Sequence, residues 1–292
     1  MRYIPALAAE GFLFPESPRW HGGRGEFFFS DIDRGEIHAW RPGSVSRCVY
    51  RHPGWISGLA FDGDGALIVS AALQRQLYRV PIDNPDGATL FAELGELSEF
   101  AVNDLIRTPE GHCFLGSVDF DFAAFARGQA APKRSRLLHV APDGTAGVAS
   151  SATNFPNGMA ITAEGNRLIV ADSLDQCLYA FPLHAGGILG QPSVFAALPG
   201  EMPDGISLDA EGAVWVASHH RVVRVREGGV LLDEVDMGTT RATACMLGGV
   251  DGRTLLITAS DSHDRDVIHA NPSGRIFRVE VASPGVALPS VY

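Results

Sequence analysis

Four residues scattered through the chain carry side-chain oxygen and open the same local phrase: Glu16, Asn103, Asn157 and Asp204. Two are carboxylates and two are carboxamides. Gathered at one point they would form an oxygen-only cage with two negative charges, the donor set of one hard divalent metal ion. Ca²⁺ is the first choice, because it accepts about six to eight oxygens in flexible geometry and lets water complete the shell. Mg²⁺, Mn²⁺, Fe²⁺ or Zn²⁺ are alternatives, although a set without His or Cys counts against a high-affinity zinc site. Without a cation, two carboxylates converging inside a protein would repel each other while losing their hydration.

The elements that must bring these residues together are readable from a repeat. A polar anchor is followed by a small or apolar stretch, a tight turn with Gly, and three or four apolar residues. Five copies place a glycine eight residues after the anchor: Ser57 and Gly65, Asn103 and Gly111, Asn157 and Gly165, Asp204 and Gly212, Ala244 and Gly252. A sixth begins at Glu16 and reaches the Gly22-Gly23-Arg24-Gly25 turn with a slight change of length. Apolar runs such as Phe27-Phe28-Phe29, Leu168-Ile169-Val170 and Val214-Trp215-Val216 follow the turns and read as strands of hairpins. Anchors recur every 40 to 54 residues or so, the length of a four-stranded propeller blade.

The repeat predicts an all-β fold, a six-bladed β-propeller with a central metal-binding channel, as one domain over 1–292. The first strand of each blade lines the channel, so the anchors form a ring: Glu16, Ser57, Asn103, Asn157, Asp204 and Ala244. A β-sandwich would not hold one ruler at six places, and a parallel β-helix has shorter repeats. Residues Arg2 to Leu7 are expected to pair with the last blade, since a propeller must hide its edges. The long third repeat holds an insertion, Asp119 to Arg136, with Phe120, Phe122 and Phe125; it reads as a loop that could serve as a lid.

Composition excludes several functions. A net charge of −11 on 292 residues suits neither nucleic acid nor an anionic membrane. The one basic cluster, Lys133-Arg134-Ser135-Arg136, reads as a solvated turn. No apolar run reaches the length of a membrane span, and Met1 to Ala9 does not read as a signal peptide. Cys48, Cys113, Cys177 and Cys245 lie far apart and read as buried apolar residues in a reducing, cytoplasmic setting. A closed propeller is expected to be a monomer acting on a small molecule. There is no G-x-S-x-G elbow for Ser17 or Ser57, and no phosphate-binding loop. Trp20, Trp40 and Trp215 are expected between blades. His219, His220 and His263 read as loop histidines, with a chemical role only for one whose loop faces the channel mouth.

Glu16-Ser17-Pro18-Arg19-Trp20, Asn103-Asp104, Pro156-Asn157-Gly158-Met159 and Pro203-Asp204-Gly205 with Trp215-Val216-Ala217 resemble the motifs of the senescence-marker-protein/gluconolactonase (regucalcin-like) family. The similarity runs from about Glu10 to Val279. It implies a propeller with a Ca²⁺-type metal that hydrolyses sugar lactones or related cyclic esters. By motif, Glu16, Asn157 and Asp204 would be metal ligands, while Asn103 would contact the substrate or a water at the metal. In related diisopropyl-fluorophosphatase-like propellers an Asn of this phase ligates directly. The chain departs from the family at Ala101, where sugar-lactone members often carry an Arg for sugar hydroxyls. With Trp55 and the phenylalanine-rich insertion, that departure points to a less polar lactone.

The expected chemistry is Lewis-acid polarisation of the lactone carbonyl and attack of water, with Asp204 as the candidate base and Asn103 orienting substrate or water. The alternatives are phosphotriester hydrolysis at the same metal and a non-catalytic calcium-binding propeller.

Overall fold

The apolar run after each turn becomes the second strand of a small sheet because both of its faces are buried. In the computed structural model, which describes residues 1–63 and 65–286 (without the side chain of Ala126), six separate sheets stand in a ring. The expected domain 1–292 thus extends past the described residues at 287–292. The innermost strands are Pro15–His21, Ile56–Asp62, Ala101–Arg107, Pro156–Ile161, Ile206–Leu208 and Arg241–Gly248. Each contacts the next, and Arg241–Gly248 returns to Pro15–His21, so the six-bladed propeller closes.

Phe27 packs with Leu256 and Ile276 of the sixth blade, whereas Phe28 packs with Ile56, Leu59 and Phe61 of the second. Successive residues of one strand therefore face opposite neighbours, and a continuous apolar run is what a two-sided burial demands. Trp40 and Trp215 are buried in the same interblade layers. Cys113, Cys177 and Cys245 are buried as expected, but Cys48 is exposed. It lies on an outer strand, Arg47–Arg51, where one face meets water.

Closure is by an N-terminal strand. Ala6–Phe12 pairs antiparallel with Gly274–Glu280 as the outer strand of the sixth blade, with Leu7 opposite Phe277. Arg2–Tyr3 instead runs parallel to Val230–Asp236 of the fifth blade. The expectation for Arg2 to Leu7 thus holds only for its last two residues. Pro5, which has no N–H to give a ladder, separates the two pairings.

Five of the six anchors sit at an irregularity of their inner strand, and the sixth, Asp204, lies just before Ile206–Leu208. The ladder shifts between Glu16 and Arg19, Ile56 and Leu59, Val102 and Leu105, Pro156 and Met159, and Ala242 and Ala244. A bulge of this kind turns a side chain off the regular pleat, here toward the axis. The residues after three anchors, Gly58, Gly158 and Gly205, do a second job. A Cβ on Gly158 would lie 2.6 Å from the backbone of Asp204 and Gly205, and one on Gly58 or Gly205 would strike Leu105 or Ala244 of the next blade. Glycine there lets adjacent inner strands approach closely enough to narrow the channel.

The register corrects one ring position. Gly158 N–H donates to Asp204 O in the next blade, and Gly205 N–H donates to Thr243 O in the same way. Thr243, not Ala244, is therefore the sixth anchor. The ruler misses by one because the sixth inner strand, Arg241–Gly248, carries an additional residue before its turn.

Two insertions stand on the anchor side. The third blade contributes α1 (Phe122–Ala126), capped by Asp121, and the sixth contributes α2 (Arg265–Ala270), capped by Asp264. These blades are opposite each other, yet their insertions meet: Phe122 packs edge-on against His263, and Arg127 Nη1 lies 4.0 Å from Asp264 Oδ2. The 119–136 insertion is thus a roof over the mouth rather than an outlying loop.

Candidate active site

The bulges at Glu16 and Asn157 and the segment leading into Ile206–Leu208, which carries Asp204, bring these three residues to the same end of the channel, with Asn103 beside them. Glu16 and Asn157 are each 8% exposed, while Asp204 and Asn103 keep more of their surface open to the channel. Burial pushes the Glu16 carboxyl up to about 8, an effect the nearby Asp104 adds to. Asp204 is raised well above the usual carboxylate range, by burial first and then by Glu16 and Asp104, against a hydrogen bond from Asn157. Neither Glu16 nor Asp204 forms an ion pair among the described residues. Two buried carboxylates in repulsion, without an ion pair of their own and with only the charge of Arg19, which is paired to Asp104, reaching Glu16, are the electrostatics of a site that suits a positive ion.

The donors fit one. Asn157 Nδ2 donates to Ser173 Oγ at 3.4 Å, which leaves its Oδ1 without a hydrogen bond among the described residues. Ser173 is fixed in turn by donating to Pro203 O at 2.6 Å. Asn103 accepts from Ser57 Oγ at 3.4 Å and donates to Pro156 O at 3.5 Å, a weakly held amide that is free to meet another group. Thr243, the sixth anchor, is turned away: its hydroxyl donates to Pro15 O at 2.7 Å.

Behind the ring is a network that the sequence reading did not assign. Asp104 Oδ1 accepts from Ser17 Oγ at 2.8 Å, Arg19 Nη2 at 2.7 Å and Leu105 N at 2.8 Å. Arg19 also donates to Leu105 O, at 2.7 Å. Ser17, held at φ 47, gives its N–H to Glu16 Oε2 at 2.9 Å. A non-glycine residue in the left-handed region persists only where its surroundings impose it. The network thus fixes the rotamer of Glu16 from behind. Arg19, three residues past the anchor, was the sequence signal for it: a lone cation on a strand facing the channel requires a buried anion.

Two other features are set apart from this site. Among the described residues, Glu36, His38 and Cys48 bring ligand atoms within 4.8 Å of one another on the first blade. Glu36 is already held by Arg51 Nη1 at 2.6 Å and His38 Nε2 at 2.7 Å, so the trio reads as a charge network. A cavity of about 570 Å³ opens at the far end of the channel, lined by Met159, Ile161, Leu208, Met246 and Leu247. It is apolar and lies at the opposite ends of the strands that carry the anchors. No helix of the described residues is long and apolar enough to cross a membrane.

The chain is similar to known proteins in sequence and fold. A family model described as SMP-30/Gluconolactonase/LRE-like region matches residues 14–261. Pentonolactonase XacC of Haloferax volcanii is 25% identical, covering 92% of this chain and 91% of its own. The 6-deoxy-6-sulfogluconolactonase of Pseudomonas putida is 28% identical, over 98% and 97%. A solved structure of regucalcin, a calcium-binding protein from Agrobacterium tumefaciens, superposes with a TM-score of 0.82 at 24% identity, over 98% and 96%.

Proposed function

Because the chain belongs to the SMP-30/gluconolactonase/LRE-like family, we propose that it is a lactonase whose Glu16, Asn157 and Asp204 hold one divalent metal ion, Ca²⁺ by preference. The observation that carries the metal is the pair of buried, unpaired carboxylates facing an amide oxygen with no other partner. The two relatives named as lactonases support lactone opening over phosphotriester cleavage or mere calcium binding. The closed ring of six blades supports a monomeric, single-domain protein acting on a small molecule, and the net charge of −11 counts against nucleic acid as a partner.

When bound, the ion would supply Lewis acidity toward the lactone carbonyl. The chain's own residues do the rest. Asn103, lightly held by Ser57 and Pro156, turns its amide to orient the lactone or the attacking water. Asp204 is the candidate to accept the proton from that water as it adds to the carbonyl carbon, after which the ring C–O bond breaks and the alkoxide takes a proton. The Ser17–Asp104–Arg19 network keeps Glu16 from turning away while charge develops at the centre.

The test is acid release from a panel of aldono-, aryl- and alkyl-lactones by protein stripped with chelator and re-supplied with divalent ions. Metal-dependent release is expected on at least one; none on any would sink the reading. Saturating metal should raise stability by about 2.7 kcal/mol at a hundredfold excess over Kd. Asp204→Asn should abolish that gain and the turnover, while raising the melting temperature of the metal-free protein, because it relieves the Glu16 repulsion. Asn103→Ala should keep most metal binding and lose rate about a hundredfold. An equal loss of metal would place Asn103 among the ligands.

A further inference from the structure

Strand alternation places the residue two before each anchor on the channel face, one layer nearer the mouth. With Thr243 as the sixth anchor, that layer is Phe14, Trp55, Ala101, Phe155, Met202 and Arg241. Five are apolar. The intervening residues, such as Ile56, Val102 and Ala242, are buried within the blades, as the alternation requires.

The contacts agree. Ala101 and Phe155 belong to one apolar cluster with Phe100 and with Phe120, Phe122 and Phe125 of the roof. Phe122 stacks on Phe155 at 5.6 Å between centroids, and His263 closes the other side against Phe14 at 5.2 Å. A polyol at this level would meet few hydrogen-bond partners and leave its hydroxyls unmatched.

The sixth member is the exception. Arg241 is half-buried, and its side chain makes no hydrogen bond or ion pair among the described residues. Its charge is felt by His219 and His263, which flank the mouth from the fifth and sixth blades. Asp264 lies on the same loop as His263 but is paired with Arg127, so it does not neutralise Arg241. An uncompensated guanidinium in an otherwise apolar collar is a receptor for one anion.

Resting on the lactonase reading, we propose that the preferred substrate is a lactone with an apolar body and one pendant anionic group. The body packs against Phe14, Phe122 and Phe155, and the anion is received by Arg241. Arg241 is thus a specificity residue and takes no part in bond making.

Three probes decide it: phthalide, phthalide-3-acetate and glucono-δ-lactone, each opened by metal-loaded enzyme. The expected order of kcat/KM is phthalide-3-acetate, then phthalide, then glucono-δ-lactone. In Arg241→Gln the ratio between the first two should fall about tenfold, through KM, with partial rescue in Arg241→Lys. A faster reaction on glucono-δ-lactone, or an unchanged ratio in the variant, overturns the proposal. Calorimetry with benzenesulfonate, a poor ligand for a hard cation, separates this from failure of the lactonase reading. If no lactone opens but benzenesulfonate binds about tenfold more weakly to Arg241→Gln, the anion receptor stands and only the reaction is wrong. Equal binding to both proteins removes the receptor.

Discussion

At the scale of single residues, His263 shows how the mouth's surroundings act on one group. Burial, then the charge of Arg241 and the neighbouring His219, push its imidazole down to about 4 from 6.5. Between those values the unfolded chain holds one more proton than the folded one. Stability from this group is therefore complete above pH 6.5 and falls as pH drops toward 4, at most by about 1.4 kcal/mol per unit. His263→Phe should flatten this part of a stability–pH profile measured by urea titration; an unchanged slope would show that His263 stays solvated. The sequence named Glu16, Asn103, Asn157 and Asp204 because a repeat fixes their phase. It could not name Asp104 or Ser173 as supports, because their partners lie up to 87 residues away and meet them only when the ring closes. It also read His263 as a loop residue with a chemical role only if its loop faces the channel mouth, since periodicity says nothing of where a loop points.

At the scale of elements, the Asn157-Gly158 and Asp204-Gly205 pairs look like hairpin turns on paper, and they are not. Asn157-Gly158 lies on an inner strand at a bulge and Asp204-Gly205 just before an inner strand, and in both the glycine is needed by the neighbouring blade rather than by its own backbone. Gly158→Ala should cost about 1–3 kcal/mol by overpacking, and it should weaken metal binding, since it wedges apart the strands that carry Asn157 and Asp204. Denaturant midpoints with and without metal check both; a loss of stability with metal affinity intact would show that the blades yield elsewhere. The same bulges explain the misplaced sixth anchor. A one-residue insertion inside a strand shifts the ladder without disturbing the apolar pattern that a sequence displays. Blade number, strand order and the apolar second strands were legible because burial on two faces leaves a continuous hydrophobic run.

At the scale of the whole molecule, the ring is closed by Ala6–Phe12 lying on Gly274–Glu280. Deleting residues 1–12 would bare the edge of Gly274–Glu280 and remove Phe12 from the cluster it shares with Phe27 and Phe29. The truncated chain should unfold several degrees lower and associate through the bared strand, seen by thermal melts and light scattering. A monomer of unchanged stability would mean the sixth blade is complete with three strands.

That same clasp sets a timetable for biosynthesis. The five blades between Pro15 and Asp236 can each assemble from neighbouring segments as the chain emerges. The sixth cannot, because Ala6–Phe12 is made long before Gly274–Glu280, the strand it lies on. Until Gly274–Glu280 has emerged, the N-terminal strand has no partner in the sixth blade, and Glu16 waits on an unclosed ring. The anchor end of the channel is therefore completed only once Gly274–Glu280 has been made, and nascent chains should gain lactone turnover in one step as that strand emerges.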